Sequence, residues 1–315
     1  MSSVILHLAP MEGIIDWVVR DVLTSRGGID QCVTEFVRVT SHVVSDRVLE
    51  SYCPELRTNS RTRAGTPVFV QFLGGQPVPL AESALRASEL GAIGIDFNFG
   101  CPAKTVNRHD GGATLLKSPD RIHNILALAR KTVPAHTPIT AKIRLGFDDP
   151  SMCLAVAQAV EASGTKKLTV HCRTKADMYK PPAFWEWIPR IREVAPQLRI
   201  IANGEIWNVA DYWRCREITA CEEVMIGRGA IADPDLFLKI RSSDSTSLDW
   251  QKVREIFPNF YLANRAYKGE AFAQARTKQW LSQVAKRNEP ARELFDRIKT
   301  IRPSEEFFRA LQTTV

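Results

Sequence analysis

The sharpest chemical signal in the 315-residue sequence is Asn98-Phe99-Gly100-Cys101-Pro102, followed by Gly111-Gly112-Ala113. A cysteine set among glycines and a proline belongs on a loop rather than in a packed element. A free thiol has a reference pKa of ~8.5, so near neutral pH most of it carries a proton it can donate. Other chemically capable residues recur at intervals: Gln71, Lys142 with Arg144, His171 with Arg173, Ala202-Asn203-Gly204-Glu205, and Ile226-Gly227-Arg228-Gly229. Lys142 closes an apolar run, and a cation at the end of a buried strand needs an anion or a lowered pKa. It can serve in an ion pair, steady charge on an electron-carrying ring, or form a Schiff base. His171 and Arg173 are two residues apart, so in an extended segment both project to one side, suited to a phosphate or a pyrimidine carbonyl. Glycines at 204, 227 and 229 let backbone N–H groups approach an anion.

Each of these groups ends a short apolar run. Eight such runs are legible, at 4–9, 32–36, 67–72, 92–97, 138–143, 167–171, 199–202 and 223–226. Between them lie amphipathic stretches such as 80–90, 119–132 and 151–163. Eight βα units predict a closed (β/α)8 TIM barrel, in which reactive groups gather at the C-terminal rim of the strands. An open dinucleotide-binding sheet is disfavoured, because Ala9-Pro10-Met11-Glu12-Gly13 after the first run is not G-x-G-x-x-G.

The polar stretch 242–247 (SSDSTS) reads as a linker. The segment beyond it has helical periodicity throughout, which divides the chain into a catalytic barrel, 1–243, and an all-helical domain, 244–315. Residues 245–315 hold 13 Lys+Arg against 8 Asp+Glu, while the preceding part holds 29 against 27. Most of the net charge of +7 therefore sits on the tail, which hints at an anionic partner. In the tail, Arg276 and Trp280 share a helical face with Lys278 nearby, a mixture suited to a phosphate backbone and an unstacked base. An inward-packed Trp with solvated cations fits the same spacing. Seven cysteines without a C-x-x-C pair argue against a disulfide framework or a zinc site. No long apolar span or signal peptide is seen, so a cytoplasmic protein with no membrane association is expected.

The ordered set of Ala9-Pro10-Met11-Glu12-Gly13, Thr34-Glu35-Phe36, Gln71, the N-x-G-C-P loop, Lys142-Ile143-Arg144, His171-x-Arg173-Thr174, Ala202-Asn203-Gly204 and Gly227-Arg228-Gly229 resembles the tRNA-dihydrouridine synthase family almost end to end. The tail segment ARTKQWL, 275–281, is similar to the bacterial C subfamily, which reduces uridine 16 of tRNA. The resemblance implies FMN across the barrel mouth, over Pro10 and Met11. Gln71, Lys142 and His171 would meet its ring, and Asn203, Gly204, Gly227 and Arg228 its phosphate, with Glu205 also in the cofactor site. Asn98 and Arg173 would hold an everted uracil, and Arg38, Arg276, Lys278 and Trp280 would contact tRNA. NADPH would reduce the flavin, a hydride would pass to uracil C6, and Cys101 would protonate C5 as the catalytic acid. A monomer is expected. The rival expectation is another FMN-dependent barrel acting on a small molecule. Cys172, where the family often has glycine, raises the question of a second thiol in the site.

Overall fold

The computed structural model describes residues 4–313. Eight parallel strands close on themselves: β1 (Ile5–Leu8), β2 (Gln31–Val33, resuming at Val37–Arg38), β3 (Val68–Leu73), β4 (Ile95–Asn98), β5 (Ile139–Arg144), β6 (Lys167–His171), β7 (Arg199–Asn203) and β8 (Glu223–Ile226). Each pairs in parallel with its sequence neighbour, and β1 pairs with β8 from Ile5↔Glu223 to Leu8↔Ile226, which shuts the cylinder. Strands in such a barrel are covered by helices outside and side chains inside. That explains why β3, Val-Phe-Val-Gln-Phe-Leu, is buried at every position.

Helices return the chain between strands. Helix Pro119–Thr132 begins with Pro after Ser118, carries Asp120 in its first turn, and ends on Arg130 and Lys131, the order that suits a helix dipole. Helix Trp17–Arg26 is capped by Asp16, whose carboxylate accepts from the Val19 N–H at 3.0 Å. No helix among the described residues is long and apolar enough to cross a membrane.

The expected linker is irregular from Ser243 to Asp249, after a helix that ends at Ser242. Five helices follow: Trp250–Arg254, Ile256–Lys268, Glu270–Val284, Glu289–Ile298 and Ser304–Gln312. Their apolar faces do not form a core of their own. Phe257, Phe260, Trp280 and Leu281 belong to one continuous hydrophobic cluster with the barrel residues Ile15, Val19, Ile231 and Phe237.

This packing corrects the reading of Trp280 as an RNA-stacking residue. Its side chain is 3% exposed, lies edge-on to Phe260 at 4.8 Å, and donates its indole N–H to the Ile231 carbonyl at 3.0 Å. Arg276 is likewise turned inward. It donates to the carbonyls of Gly13 at 2.6 Å and Ile14 at 2.7 Å and pairs with Asp16 at 2.9 Å. The Lys278 ammonium is half-buried and donates to the Ile301 carbonyl at 2.8 Å, so it too is engaged within the protein, though it keeps its charge without a carboxylate partner among the described residues. A helix face read from spacing alone does not say whether it meets water or another element.

Candidate active site

The C-terminal ends of the strands surround a cavity of about 620 Å³, within the usual range for a cofactor or small-molecule site. Its lining gathers Pro10 and Met11 after β1, Gln71 from β3, Asn98 and Cys101 after β4, Lys142 and Arg144 from β5, His171 from β6, Asn203, Gly204 and Glu205 after β7, and Gly227 and Arg228 after β8. Parallel strands with period-two side chains and aligned ends bring these distant segments to one rim.

Cys101 is half-buried in the cavity wall, and its loop is tightly tethered. Its carbonyl accepts from the Ala113 N–H at 3.0 Å and from the Asn107 amide at 3.0 Å. Gly112 must lack a side chain, because at its φ of +60° a Cβ would lie 2.7 Å from that same carbonyl oxygen. On the other side, Asn98 Oδ1 accepts from the Gly100 N–H at 2.9 Å, and its Nδ2 donates to Gln71 at 2.9 Å. Arg144 adds a donation to the Gly100 carbonyl at 3.0 Å. Burial pushes the Cys101 thiol up, against the pull of the Ala103 backbone and the Arg144 charge. The sulfur is therefore a protonated thiol at neutral pH.

Of the seven cysteines, only Cys101 lines the cavity. Cys172 is fully buried, directs its Sγ to the Val170 carbonyl at 3.5 Å, and has its pKa pushed well up by burial. No second thiol competes for the site.

Lys142 lies along β5 with its ammonium 2.9 Å from Asn203 Oδ1, and Asn203 in turn donates to the Met225 carbonyl at 2.8 Å. Desolvation, aided by the nearby Arg144, lowers the Lys142 pKa to about 8, with Asp96 opposing. Its nearest partner is thus a neutral amide, which leaves the charge available to an anionic ligand. Burial and the surrounding Arg144, Lys142, Arg173 and Arg228 hold the His171 pKa well below its usual value. Arg173 Nη1 approaches His171 Nε2 at 3.4 Å. Because arginine only donates, Nε2 is the acceptor and the proton sits on Nδ1.

Two glycines pack closely against the cavity lining after β7 and β8. A Cβ on Gly227 would sit 3.0 Å from the Met11 sulfur, and one on Gly204, at φ +121°, 3.1 Å from His171. Glu205 accepts a hydrogen bond from Arg228 at 2.7 Å and lies in an ion pair with Arg173 at 2.7 Å. Burial works against its charge, but the two guanidinium groups outweigh it and lower its pKa.

Arg173 corrects a second expectation. Projection to the same side as His171 would bring it into the cavity, but the strand ends at His171, and beyond that point the alternation no longer applies. The side chain is fully buried, bonds the Lys180 carbonyl at 2.6 Å, and stands behind Glu205 and His171 without lining the cavity. Arg38 is exposed in a neighbouring depression of about 500 Å³ with Thr40, Gly75 and His109.

Several lining residues escaped the sequence reading. Glu12 follows Met11 and is raised to about 7 by burial and by Glu35. Tyr179 places its ring 5.3 Å from both Arg144 and Arg228, and Trp207 lies 4.9 Å beneath Arg228. Gln283, Lys286 and Arg287 reach the cavity from the tail. A tryptophan two residues after Asn-Gly-Glu was the one sequence signal for Trp207; the tail residues had none.

The description Dihydrouridine synthase (Dus) matches residues 7–314. The tRNA-dihydrouridine(16) synthase of Pseudomonas putida is 46% identical over 298 residues, covering 93% of this chain and 92% of that protein. Those of Shewanella oneidensis and Ralstonia nicotianae are each 44% identical and cover 97% and 98% of this chain, and 96% and 95% of their own lengths. Among solved structures, histamine dehydrogenase from Rhizobium sp. 4-9 superposes with a TM-score of 0.56 at 14% identity, covering 76% of this chain and 45% of that one. A morphinone reductase variant in complex with tetrahydroNAD gives 0.53 at 12% identity, covering 77% and 88%. At such identities the two structures speak to the fold alone, a TIM barrel.

Proposed function

This chain belongs to the dihydrouridine synthase family, and from that premise we propose that it reduces the C5=C6 bond of a uridine in the D-loop of tRNA, at position 16 as its relatives are named, with bound FMN and with NADPH as reductant. The observation that carries the reading is the convergence of one protonated thiol, one half-buried lysine bonded only to a neutral amide, and glycine-bearing strand ends on a single cavity. When bound, the flavin supplies the hydride that uracil C6 accepts.

The protein's own groups do the rest. Lys142 would offer its positive charge to the cofactor ring, with Gln71, Pro10 and Met11 lining the same space and the His171 Nδ1–H available as a donor. Gly204, Gly227 and Arg228 would hold the cofactor phosphate, with Asn203 and Glu205 keeping Lys142 and Arg228 in place. Asn98 keeps one amide N–H and one lone pair for the uracil edge after its two protein bonds. Cys101 holds its proton at Sγ and delivers it to uracil C5, a general acid rather than a covalent nucleophile. Arg173 positions Glu205 and His171 instead of touching the base.

Residues 1–243 supply this chemistry in the proposed division, and 244–315 supply the grip on tRNA, with Arg38 a further contact on the barrel. Arg276 and Lys278 serve that grip indirectly, Arg276 by tying the tail to the barrel and Lys278 by bonding within the tail. Cys101→Ala tests the assignment. We expect unchanged flavin content and unchanged bleaching by NADPH, with dihydrouridine formation in tRNA reduced on the order of a hundredfold or more. Undiminished dihydrouridine, measured by mass spectrometry of tRNA digests, would remove Cys101 from the mechanism.

A further inference from the structure

We propose that Lys286 and Arg287, just beyond helix Glu270–Val284, are the point at which the tail takes hold of a phosphodiester of the RNA strand that delivers its base to the cavity. The inference rests on the reading of the protein as a tRNA-modifying enzyme. Of the tail's 13 Lys and Arg residues, these two alone line the cavity.

Both are exposed, and neither forms an ion pair among the described residues. Several other tail cations are neutralised: Lys252 by Asp249, Arg292 by Glu289, Lys299 by Asp296 and Arg276 by Asp16. Among the described residues the Lys286 ammonium donates one hydrogen bond, to Gln283 Oε1 at 2.8 Å. The Arg287 guanidinium lies 4.1 Å from the centre of the Trp207 ring, and Arg228 lies 4.9 Å from the same ring. Stacking engages the face of a guanidinium and leaves its in-plane N–H edge free for an anion. Arg228 has Glu205 as its counter-ion; Arg287 has none among the described residues.

Two uncompensated donors on one rim are the chemistry of a phosphate site. That phosphate can come from RNA or from the dinucleotide reductant. RNA is favoured by position. The pair comes from the tail, but because Arg287 shares the Trp207 ring with Arg228, loss of flavin from the double variant would assign the rim to the cofactor's phosphate and overturn the proposal. A nucleotide that inserts its base from a polymer must carry its flanking phosphates over the rim.

The experiment compares full-length wild type with Lys286→Ala and with Lys286→Ala/Arg287→Ala, measuring tRNA affinity against salt and flavin bleaching by NADPH. Lys286→Ala removes only a surface contact and so keeps the test independent of folding. We expect the slope of log affinity against log salt to become shallower by about 1 in the single variant and about 2 in the double. Affinity of the double variant should fall roughly tenfold or more at low salt, with flavin content retained. Unchanged tRNA binding and salt slope overturn the proposal. Slower flavin bleaching with intact tRNA binding also overturns it, assigning the rim to the reductant's phosphates. If wild type itself neither binds tRNA nor forms dihydrouridine, the functional reading fails as well, a result distinct from failure of the rim assignment alone.

Discussion

Lys142 carries its charge in a place that opposes it. Burial and Arg144 lower its pKa to about 8, from an ordinary value of 10.5. The unfolded chain therefore binds this proton more tightly than the folded one, and at neutral pH the residue costs stability. Between pH about 8 and about 10.5 its contribution to stability rises with pH, because the unfolded state holds the extra proton. Lys142→Met should make the cofactor-free protein more resistant to urea at pH 7, and the gap to wild type should close as pH rises through that window. A gap independent of pH would mean that Lys142 is not charged and desolvated as described. Retention of such a residue fits a site that needs a fixed cation for a ligand more than it needs stability. His171, neutralised by burial and then by its cationic surroundings, is the complementary case, a donor without charge.

At the scale of elements, helix Trp17–Arg26 shows how one residue ties local structure to the seam between barrel and tail. Asp16 caps the helix through one oxygen and pairs with Arg276 through the other. Asp16→Ala should cost about 1 kcal/mol for the cap alone, with a further loss from the broken pair. Asp16→Asn keeps the acceptor and should recover the cap's share only. Denaturant unfolding of both, in a double-mutant cycle with Arg276→Ala, measures the two parts. Absence of coupling between Asp16 and Arg276 would show the seam to be held by packing alone. The same logic governs the cysteine loop, where Asn98, Arg144 and Asn107 fix one backbone segment from three elements.

Across the whole molecule, barrel and tail share an apolar cluster rather than meeting through a thin polar contact. Trp280 is its keystone on the tail side, with Phe257 and Phe260 around it and the Ile231 carbonyl as its hydrogen-bond partner. Trp280→Ala should cost about 3–5 kcal/mol and lower the thermal transition of the entire chain, not of the tail alone. Calorimetry that resolved a tail transition separate from an unshifted barrel transition would contradict this. Removal of the tail would expose that cluster, so a truncated barrel tests packing together with RNA binding.

The sequence by itself determined the presence of eight strands, a linker read at 242–247 where the irregular stretch is 243–249, and nearly every cavity residue that directly follows a strand, from Met11 to Gly227. These are local properties: apolar runs mark buried parallel strands, and in a closed barrel the end of each strand is at the same rim. Tertiary structure decided the directions of side chains away from the strands. Trp280 and Arg276 turned into the seam, Arg173 turned behind the cavity, and Lys286 and Arg287 came to its edge, because the face a helix or loop presents is set by what packs against it. No spacing within the tail encodes the position of Trp207, some 80 residues earlier in the chain. Only the folded chain places Arg287 upon it.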